Sequence, residues 1–428
     1  MKYKTVKKTE GVSRRDFIKA SAAVGMAAVL GGQERLFAAG SGKIRVGLIG
    51  CGGQGTRDTI SCLQSATGVE LVAMGDLFRD RLNESLEKLK GEEISGKVKV
   101  TRDKCFVGFD AYNKVIASDV DMVLIVTPPH FHPQQVKAAI EAGKHVFMEK
   151  PGAVDPAGVR SLIATSELAE QKGLSIVAGT QRRHEAHYIE IMKRIRRGDI
   201  GEIIGGQVYW NGGDMVGYWT YYEKGGMSDM EWQCRNWPWF TWLGGDHIVE
   251  QHVHNLDVMH WAMGSHPVQV MGMGGREVRK EGNIFDHFAI EYEFANGVRI
   301  LGMCRQINGC HTRVGERFVG TKGVADGRGK IEGQNAYEYP GESPDPYEQE
   351  MADLIGSIRQ GKPINEGRNV AESTMSAIMG RMSAYTGRAL KWDWAMNASK
   401  LDYTPPSYDF GTDFPARPVA VPGKTQLI

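Results

Sequence analysis

Short apolar runs separated by amphipathic stretches characterise the chain between residues 43 and 182. Each run is bounded by polar or turn-forming residues, which is typical of strands buried on both faces of a sheet. The stretches between them, such as residues 134–142 and 159–172, follow a helical pattern. Strands that alternate with helices predict an α/β unit built on a doubly wound parallel sheet. The predicted strands are residues 44–49, 69–74, 122–126, 145–148 and 175–178.

A different pattern begins at about residue 183. Apolar residues recur at every second position from Phe288 to Phe294, which predicts a strand with one face in the core and one face in solvent. This mixture of elements predicts a second unit, of the α+β class, over residues 183–400, followed by an extended strap over residues 401–428, which are rich in proline and glycine. The other predicted strands are residues 203–210 and 298–304, and the predicted helices are residues 184–196, 347–359 and 370–386.

The N-terminal segment, residues 1–40, has the order of features found in secretion signals. Basic residues, including the pair Arg14-Arg15, precede an alanine-rich apolar run from Ala20 to about Gly32, and small residues follow. Paired arginines before Phe17-Ile18-Lys19 resemble the twin-arginine type of signal. The segment therefore predicts export to the periplasm. An uncleaved membrane anchor and a basic amphipathic helix are the alternatives.

Composition limits the classes of partner. The chain has 428 residues, of which 41% are hydrophobic and 24% charged, as in ordinary globular proteins. A formal net charge of +1 gives no electrostatic case for binding a nucleic acid or an anionic membrane surface. The six cysteines form no Cys-x-x-Cys pair and are predicted to be mostly buried thiols. A disulfide stays open, and Cys304 and Cys310 are the pair nearest in sequence.

The first candidate chemistry lies at residues 50–55, where Gly50-Cys51-Gly52-Gly53-Gln54-Gly55 directly follows a predicted strand. In such loops the first glycine permits a tight turn, the second lets the backbone approach a pyrophosphate, and the third lets the next helix pack closely. Asp76 ends the second strand about 20 residues further on, where a carboxylate accepts ribose hydroxyls and repels a 2′-phosphate. Residues 43–182 are therefore predicted to bind NAD; Arg79 and Arg81 keep NADP open, and another ligand on the same sheet is the alternative.

Together with this loop, three further motifs resemble the Gfo/Idh/MocA family, named after glucose–fructose oxidoreductase and inositol dehydrogenase. They are Thr127-Pro128-Pro129-His130-Phe131-His132, the tripeptide Glu149-Lys150-Pro151 and the segment from Gly244-Gly245 to Asp257. The resemblance implies an N-terminal Rossmann domain followed by an α+β domain with a large, open, mainly antiparallel sheet. It also implies a homodimer or a homotetramer.

The resemblance assigns roles to individual residues. Lys150 takes the position of the family's lysine beside the nicotinamide and the reacting hydroxyl. The family pattern Asp-x-x-x-His-x-x-Asp matches residues 250–257, so His254 takes the position of the proton-transferring histidine and Glu250 stands where aspartate is usual. Lys150, His254 and Glu250 are therefore the expected catalytic residues. The expected cofactor-binding residues are Gly50, Gly52, Gly53, Gln54, Gly55, Asp76, Thr127, Pro128, His132, Glu149 and Lys150.

Alcohol oxidation explains why a histidine and a lysine would act together. The hydroxyl loses its proton as hydride leaves the carbon, and a histidine titrates near working pH and can take that proton. A cationic lysine stabilises the developing alkoxide charge. Glu250 and His254 are four residues apart and are expected to share one helical face. A zinc site around His252 is the alternative, but it lacks a signature spacing, so no metal is predicted.

Aromatic residues are concentrated early in the second unit. Six of the nine tryptophans lie between Trp210 and Trp242, with polar side chains interleaved. Aromatic rings bind the C–H faces of sugars while amides and carboxylates bind the hydroxyls, so a carbohydrate or polyol substrate is predicted. A local core or a subunit interface is the alternative. The expected substrate contacts are Arg182, Arg183, His184, Tyr209, Asn236, His254 and Asp257.

Export sets a condition on the cofactor, because free nicotinamide dinucleotide is scarce outside the cytoplasm. The twin-arginine route carries folded proteins, so a tightly bound NAD that is regenerated in place is expected. The leading hypothesis is an NAD(P)-dependent oxidoreductase acting on a sugar or polyol, with His254 as base and Lys150 assisting. One alternative is a redox-neutral NAD-dependent glycoside hydrolase, which needs a second base such as Tyr209 or His184. A non-catalytic sugar-binding protein is the other.

Overall fold

The computed structural model of the protein describes residues 42–215 and 219–428. The predicted export signal, residues 1–40, lies outside the described residues. Residues 44–428 belong to one unit by their mutual contacts. Within the described part of the chain, no helix combines the length and the apolar character that a bilayer crossing needs.

The first sheet is wholly parallel and has the strand order β3-β2-β1-β4-β5-β6. The order reverses between β1 and β4, and ligands of such sheets bind at the carboxyl ends of the strands at this reversal. The doubly wound parallel sheet predicted from the apolar runs is therefore confirmed. Its strands are β1 (Ile44–Ile49), β2 (Val69–Asp76), β3 (Cys105–Val107), β4 (Met122–Ile125), β5 (His145–Met148) and β6 (Ile176–Ala178).

Helices cover both faces of this sheet, and local signals set their ends. The last of them, α5, begins at Pro156, three residues before the predicted start, because proline needs no amide partner in a first helical turn and Asp155 accepts the Gly158 amide at 2.8 Å. It ends at Gly173 in a left-handed conformation. The helices are α1 (Gly53–Ser65), α2 (Arg79–Gly91), α3 (Ala111–Ile116), α4 (His132–Glu141) and α5 (Pro156–Lys172).

The second sheet has nine strands in the order β14-β13-β12-β11-β7-β10-β9-β8-β15. Its strand pairs are antiparallel except for β7 with β10, so the mainly antiparallel sheet implied by the family resemblance is confirmed. The strands are β7 (Ile203–Gly212), β8 (Gln269–Gly275), β9 (His287–Glu293), β10 (Arg299–Gln306), β11 (Arg313–Gly320), β12 (Gly323–Asp326), β13 (Lys330–Gly333), β14 (Tyr337–Glu338) and β15 (Leu390–Lys391).

The helix α12 is buried along almost its whole length and joins the two sheets. It packs against α5, against α10 and against β8, so one hydrophobic core continues from the parallel sheet into the second sheet. The predicted boundary between residues 182 and 183 stays a prediction. The helices of this half are α6 (Ala186–Arg197), α7 (Asp229–Arg235), α8 (Thr241–Gly244), α9 (His247–Glu250), α10 (Val253–Met263), α11 (Pro346–Gln360), α12 (Gly367–Thr386) and α13 (Trp392–Asn397).

The structure settles two predictions, namely the bounds of one helix and the pairing of the cysteines. The helix expected over residues 184–196 is divided into a 3-10 turn, Gln181–His184, and α6. The cysteines, whose pairing was open, are all free thiols, with Cys304 buried and Cys310 exposed. Residues 401–428 contain neither a helix nor a strand, as expected of a strap.

Candidate active site

A cleft of about 580 Å³ lies at the carboxyl ends of the parallel strands, where the strand order reverses. Loops of the parallel sheet line one side, and Trp210 of β7 together with parts of residues 219–254 line the other. The cleft thus brings together most of the residues predicted for cofactor binding and catalysis. Those in its lining are Gly50, Gly52, Gly53, Gln54, Gly55, Asp76, Thr127, Pro128, Glu149, Lys150, Glu250 and His254.

The glycine loop has the geometry that a pyrophosphate requires. Gly50 has a φ of 97°, in the left-handed region, and a Cβ on Gly55 would lie 2.0 Å from the carbonyl oxygen of Gly50. Helix α1 begins at Gly53, and no side chain caps its first amides, so an anion in the cleft can accept hydrogen bonds from them. A Cβ on Gly52 would meet no atom within 4 Å, which leaves room beside the loop for a ligand. The residues present therefore fit a dinucleotide.

We expect Gly55→Ala to lower the free energy of unfolding by about 1–3 kcal/mol and to abolish dinucleotide binding, because the new methyl group overlaps the Gly50 carbonyl. Gly91→Ala is the matched control, since its Cβ would meet no atom within 4 Å and Gly91 lies outside the cleft lining. Urea unfolding without ligand, followed by titration with NADH, measures both effects. Equal stability and binding of the two variants would contradict this account of the loop.

Asp76 is held rigidly at the edge of the cleft. Its Oδ2 accepts the Cys51 amide at 2.6 Å, and its Oδ1 accepts the Phe78 amide at 2.8 Å. Burial raises the pKa of Asp76, and the two amide hydrogen bonds oppose that rise. Each carboxylate oxygen keeps a further lone pair, so the side chain can accept ribose hydroxyls without releasing the loop. Arg81 lines the cleft nearby and donates to the hydroxyl of Tyr222 at 2.7 Å.

Lys150 and Glu250 form an ion pair in the cleft. The Lys150 Nζ donates to the Glu250 Oε1 and to the Glu250 carbonyl oxygen, both at 2.7 Å. Burial opposes the charge of Lys150, but Glu250 and Glu149 outweigh it and raise the pKa of the lysine above its usual value. Lys150 is therefore a cation at neutral pH, as a group that stabilises an alkoxide must be.

His254, in contrast to Lys150, is uncharged at neutral pH. Burial, followed by the neighbouring cations Lys150 and Arg182, holds the pKa of His254 well below its usual value, so the imidazole is neutral at pH 7. Its ring lies parallel to the ring of Trp210, with centroids 5.4 Å apart, and its Nδ1 has no hydrogen-bond partner among the described residues. A neutral imidazole beside a cationic lysine can accept a proton from a hydroxyl.

The expectation that Glu250 and His254 share one helical face is wrong. Glu250 ends α9, and α10 begins at Val253, after a turn. In a continuous helix the Glu250 carbonyl would accept the His254 amide, but it accepts Lys150 instead, and the His254 amide donates to Gln251 at 3.3 Å. The ion pair with Lys150 thus coincides with the break in the helix.

Arg182 and Arg183 lie outside the cleft lining, although both were expected to contact substrate. Arg182 donates to the buried Glu316 at 2.5 Å, and its guanidinium lies 5.7 Å from the Trp210 ring, so it supports the cleft wall from behind. Arg183 forms a two-pronged pair with Asp257, at 2.7 and 2.9 Å. Asp257, another expected contact, is thereby engaged away from the cleft.

Three other expected residues also lie outside the cleft lining. His132 joins two motifs, because its Nε2 lies 2.7 Å from the carbonyl oxygen of Thr127 and its Nδ1 lies 2.8 Å from that of Pro151. Burial lowers the pKa of His132 to about 4, so the neutral ring has one N–H and donates to one of these carbonyls at a time. The buried Asn236 binds the backbone of residue 222, and Tyr209 packs under the guanidinium of Arg313 at 4.1 Å.

His184, expected near substrate, is buried between two carboxylates. Its Nδ1 lies 2.6 Å from the Asp353 Oδ2, and its Nε2 lies 3.3 Å from the Glu366 Oε1. Burial disfavours its charge, but the hydrogen bond to Asp353 and the nearby carboxylate of Glu366 prevail and raise its pKa to about 9. His184 is therefore a cation that ties the 3-10 turn Gln181–His184 to α11.

This pair predicts a pH-dependent contribution to stability. Since the folded pKa of His184 lies above the unfolded value of 6.5, the stabilisation is fully present below pH 6.5 and is lost as the pH rises through about 9. We expect wild type to exceed His184→Gln by about 2 kcal/mol in free energy of unfolding at pH 6, and the difference to vanish near pH 10. Urea unfolding at both pH values checks this, and a pH-independent difference would contradict it.

Other lining residues carried no signal in the sequence. Gln181, Gln251 and Tyr347 border the cleft together with Arg57. Gln251 follows Glu250 and Gln181 precedes Arg182 in the sequence. Their positions next to predicted site residues were the only sequence signal for these two glutamines. Tyr347 comes from the start of α11, whose position against α1 depends on the tertiary fold. In residues 42–215 and 219–428, no group of three or more histidine, cysteine, aspartate or glutamate side chains could hold a metal ion.

Comparison with known families agrees with this geometry. Residues 44–180 match the oxidoreductase family with the NAD-binding Rossmann fold, and residues 188–326 match the GFO/IDH/MocA C-terminal domain, so the two matches span more than half of the chain. Residues 11–31 match the signal sequence of the twin-arginine translocation pathway.

Individual relatives are distant. The chain is 24% identical to scyllo-inositol 2-dehydrogenase (NAD(+)) of Bacillus subtilis over 54% of this chain and 57% of that protein. It is 30% identical to inositol 2-dehydrogenase of Klebsiella pneumoniae over 37% of this chain and 43% of that protein. It thus spans about half the length of the curated relatives it matches.

Solved structures share the fold over most of the chain. Scyllo-inositol dehydrogenase from Lactobacillus casei, solved with bound NAD(H) and scyllo-inositol, superposes with a TM-score of 0.61 at 18% identity, covering 82% of this chain and 99% of that one. Aldose-aldose oxidoreductase from Caulobacter crescentus, complexed with glycerol, gives a TM-score of 0.63 at 19% identity, with the same coverage. Both the N-terminal and the C-terminal family matches lead to one assignment: the chain belongs to the Gfo/Idh/MocA oxidoreductase family.

Proposed function

We propose that this protein oxidises a carbinol carbon of a sugar or polyol with a tightly bound nicotinamide dinucleotide. The observation that carries the proposal is the pairing, in one cleft with the glycine loop, of a cationic Lys150 and a neutral His254. These are the two charge states that alcohol oxidation requires of its electrophilic and basic groups.

In this mechanism the neutral imidazole of His254 takes the hydroxyl proton of the substrate. The Lys150 ammonium donates a hydrogen bond to the oxygen as it gains negative charge, and Glu250 keeps the lysine protonated and aimed. A bound dinucleotide would supply the hydride acceptor. Only 13% of the side-chain surface of Lys150 and of Glu250 is exposed, which strengthens the electrostatic interactions between them.

We propose NAD as the dinucleotide. The two oxygens of Asp76, fixed by backbone amides, suit ribose hydroxyls and repel a 2′-phosphate. Arg81 is one of the residues that left NADP as an alternative, and its guanidinium donates a hydrogen bond to the Tyr222 hydroxyl. The match to a twin-arginine signal supports the proposal of tight binding, since a protein exported to the periplasm would have to bring its cofactor with it.

A polyol or sugar substrate is supported by aromatic rings in the cleft lining. Trp210, Trp219 and Trp237 belong to that lining and are half-buried. Their flat faces suit the C–H faces of a saturated ring, and Gln181 and Gln251 offer amide groups to hydroxyls. The similar Lactobacillus casei structure was solved with scyllo-inositol, which makes inositols and aldoses the first substrates to test.

The test begins with mass spectrometry of the purified protein, where we expect NAD to be released on denaturation. Adding inositols or aldoses should raise absorbance near 340 nm as the bound cofactor is reduced. Release of an aryl group from aryl glycosides without added cofactor would instead favour the redox-neutral glycoside hydrolase. Dinucleotide and sugar binding with neither reaction would favour a non-catalytic sugar-binding protein.

One observation bears on the glycoside hydrolase as a second candidate. The second bases considered from the sequence, Tyr209 and His184, lie outside the cleft lining, whereas Tyr347 lies within it. Burial, followed by Glu149, raises the pKa of Tyr347, so its phenol is protonated at neutral pH and can act as an acid. A glycosidase activity would therefore use Tyr347 as the acid that protonates the leaving oxygen, not as the second base, and loss of that activity in Tyr347→Phe would identify this role.

We propose a homodimer or a homotetramer formed through the outer face of the nine-stranded sheet. Met271 and Met273 of β8 and Leu301 of β10 are exposed on this face, and in the strand register Glu291 of β9 lies between Met271 and Leu301. Exposed apolar clusters of this kind mark association surfaces. Light scattering of the purified protein measures the oligomeric state directly.

A further inference from the structure

Aromatic residues of the C-terminal strap pack behind one end of the cleft. The Phe410 ring is stacked on the Phe78 ring, with centroids 5.8 Å apart, and meets the Phe109 ring edge-on at 5.2 Å. Phe78 follows β2 and Phe109 follows β3, and both line the cleft. Phe410 therefore contacts both of the loops that line this end of the cleft.

This end is where the adenosine half of a dinucleotide belongs. Asp76, whose carboxylate suits the adenosine ribose, is two residues before Phe78. A purine attached to that ribose would lie between the loops that follow β2 and β3, beside Phe78 and Phe109. Phe410 is absent from the cleft lining, so it acts on a bound purine through those two rings.

The strap is fastened on both sides of Phe410. The Tyr408 hydroxyl lies 2.8 Å from the His130 Nε2, and the Tyr408 ring packs against Phe109 at 5.8 Å. Further along, the Gln233 Nε2 donates to the backbone carbonyl oxygen of Phe414 at 2.6 Å, a contact that does not involve the Phe414 ring. Phe410 is thus held in position by contacts that do not depend on the ligand.

A second group of contacts reinforces Phe78 from the other side. The Arg235 guanidinium lies 4.0 Å from the Phe78 ring centroid, and its Nη1 pairs with Asp80 at 2.9 Å. Arg235 comes from α7 in the aromatic segment, whereas Phe410 comes from the strap. The Phe78 ring is therefore packed between two elements that are distant in sequence.

We propose that Phe410 is a positioning residue that holds the loops after β2 and β3 together and so slows dissociation of the dinucleotide. The proposal rests on the function proposed above, and it assigns retention of the cofactor to the strap. Before the purine can leave, Phe78 and Phe109 must separate, which breaks both ring contacts of Phe410. Since an aromatic pair contributes a few-fold to an equilibrium constant, loss of both should accelerate release about tenfold.

The experiment measures the rate of NADH release. Wild type and variants are loaded with NADH, excess NAD is added, and the decay of NADH fluorescence gives the dissociation rate constant. We expect Phe410→Ala and Phe410→Leu to release NADH about tenfold faster than wild type. The leucine variant keeps apolar volume and protects the fold. Phe410→Tyr retains the ring and should restore the wild-type rate.

Phe414→Ala is the matched control, because it removes a ring of the same strap that packs on Trp242, outside the cleft lining. Its release rate should stay within about twofold of wild type. Equal rates in Phe410→Leu and wild type would overturn the role of Phe410 while leaving dinucleotide binding intact. An acceleration in Phe414→Ala as large as in Phe410→Ala would overturn it too, since release would then follow general loosening of the strap. Failure of wild type to bind any dinucleotide would remove both this inference and the proposed function.

Discussion

Replacing His254 with alanine lowers kcat for polyol oxidation by about 10²–10⁴-fold, the usual contribution of a general base. The variant loses the neutral imidazole that faces the cleft next to Lys150, and no other described histidine lines the cleft. Stopped-flow reduction of the bound cofactor near 340 nm measures the hydride-transfer step itself. A loss smaller than about tenfold would mean that another group takes the proton.

The pH profile separates a base from a merely structural residue. His254 acts in its neutral form, and its pKa is held well below 6.5. The decrease of kcat/KM on the acid side of the pH profile should therefore occur below pH 6.5, where His254 becomes protonated. This limb should disappear in His254→Ala. His260→Gln is the matched control, because His260 lies on the same helix and pairs with Ser376 outside the cleft lining. An acid limb that persists in His254→Ala would contradict the assignment.

Continuous apolar runs made the parallel sheet predictable from the sequence. The bounds predicted for β1 and β5 coincide with the observed Ile44–Ile49 and His145–Met148, since these strands are buried on both faces and turn residues end them. The strands β3, β8 and β11 to β15 were not predicted. In β13 only Ile331 is buried, so its four residues show neither an apolar run nor a period of two.

Residues of the candidate site could be predicted where they belong to a short sequence motif. The glycine loop, Asp76 and Lys150 lie in motifs that end parallel strands, and the fold brings those ends together. Arg183 and His184 were predicted by the same argument from position, yet the carboxylates of Asp257 and Asp353 hold them away from the cleft lining. Their partners come from other parts of the chain, so the pairing has no sequence signature.

Replacing Lys150 with methionine lowers kcat by about 10²–10³-fold, the usual effect of removing one hydrogen-bond donor from a developing oxyanion. The same change leaves the Glu250 carboxylate, of which 13% of the side-chain surface is exposed, without its cation. Stability should therefore fall as well. The rate of cofactor reduction and the thermal unfolding midpoint are measured together. Lys144→Met is the control, because the Lys144 ammonium binds the Val120 carbonyl at 2.8 Å, outside the cleft lining.

Glu250→Gln tests the charge of Lys150 without removing the ammonium group. Burial lowers the pKa of Lys150, and the negative charge of Glu250 is the largest influence that opposes it. Glutamine keeps an oxygen that can accept from the Lys150 Nζ but carries no charge, so the pKa of the lysine must fall. Because the protonated lysine is the active form, the alkaline limb of kcat/KM should move to lower pH, while kcat at the optimum changes by less than about tenfold. An alkaline limb at the wild-type position would show that Lys150 does not act as the cation in the reaction.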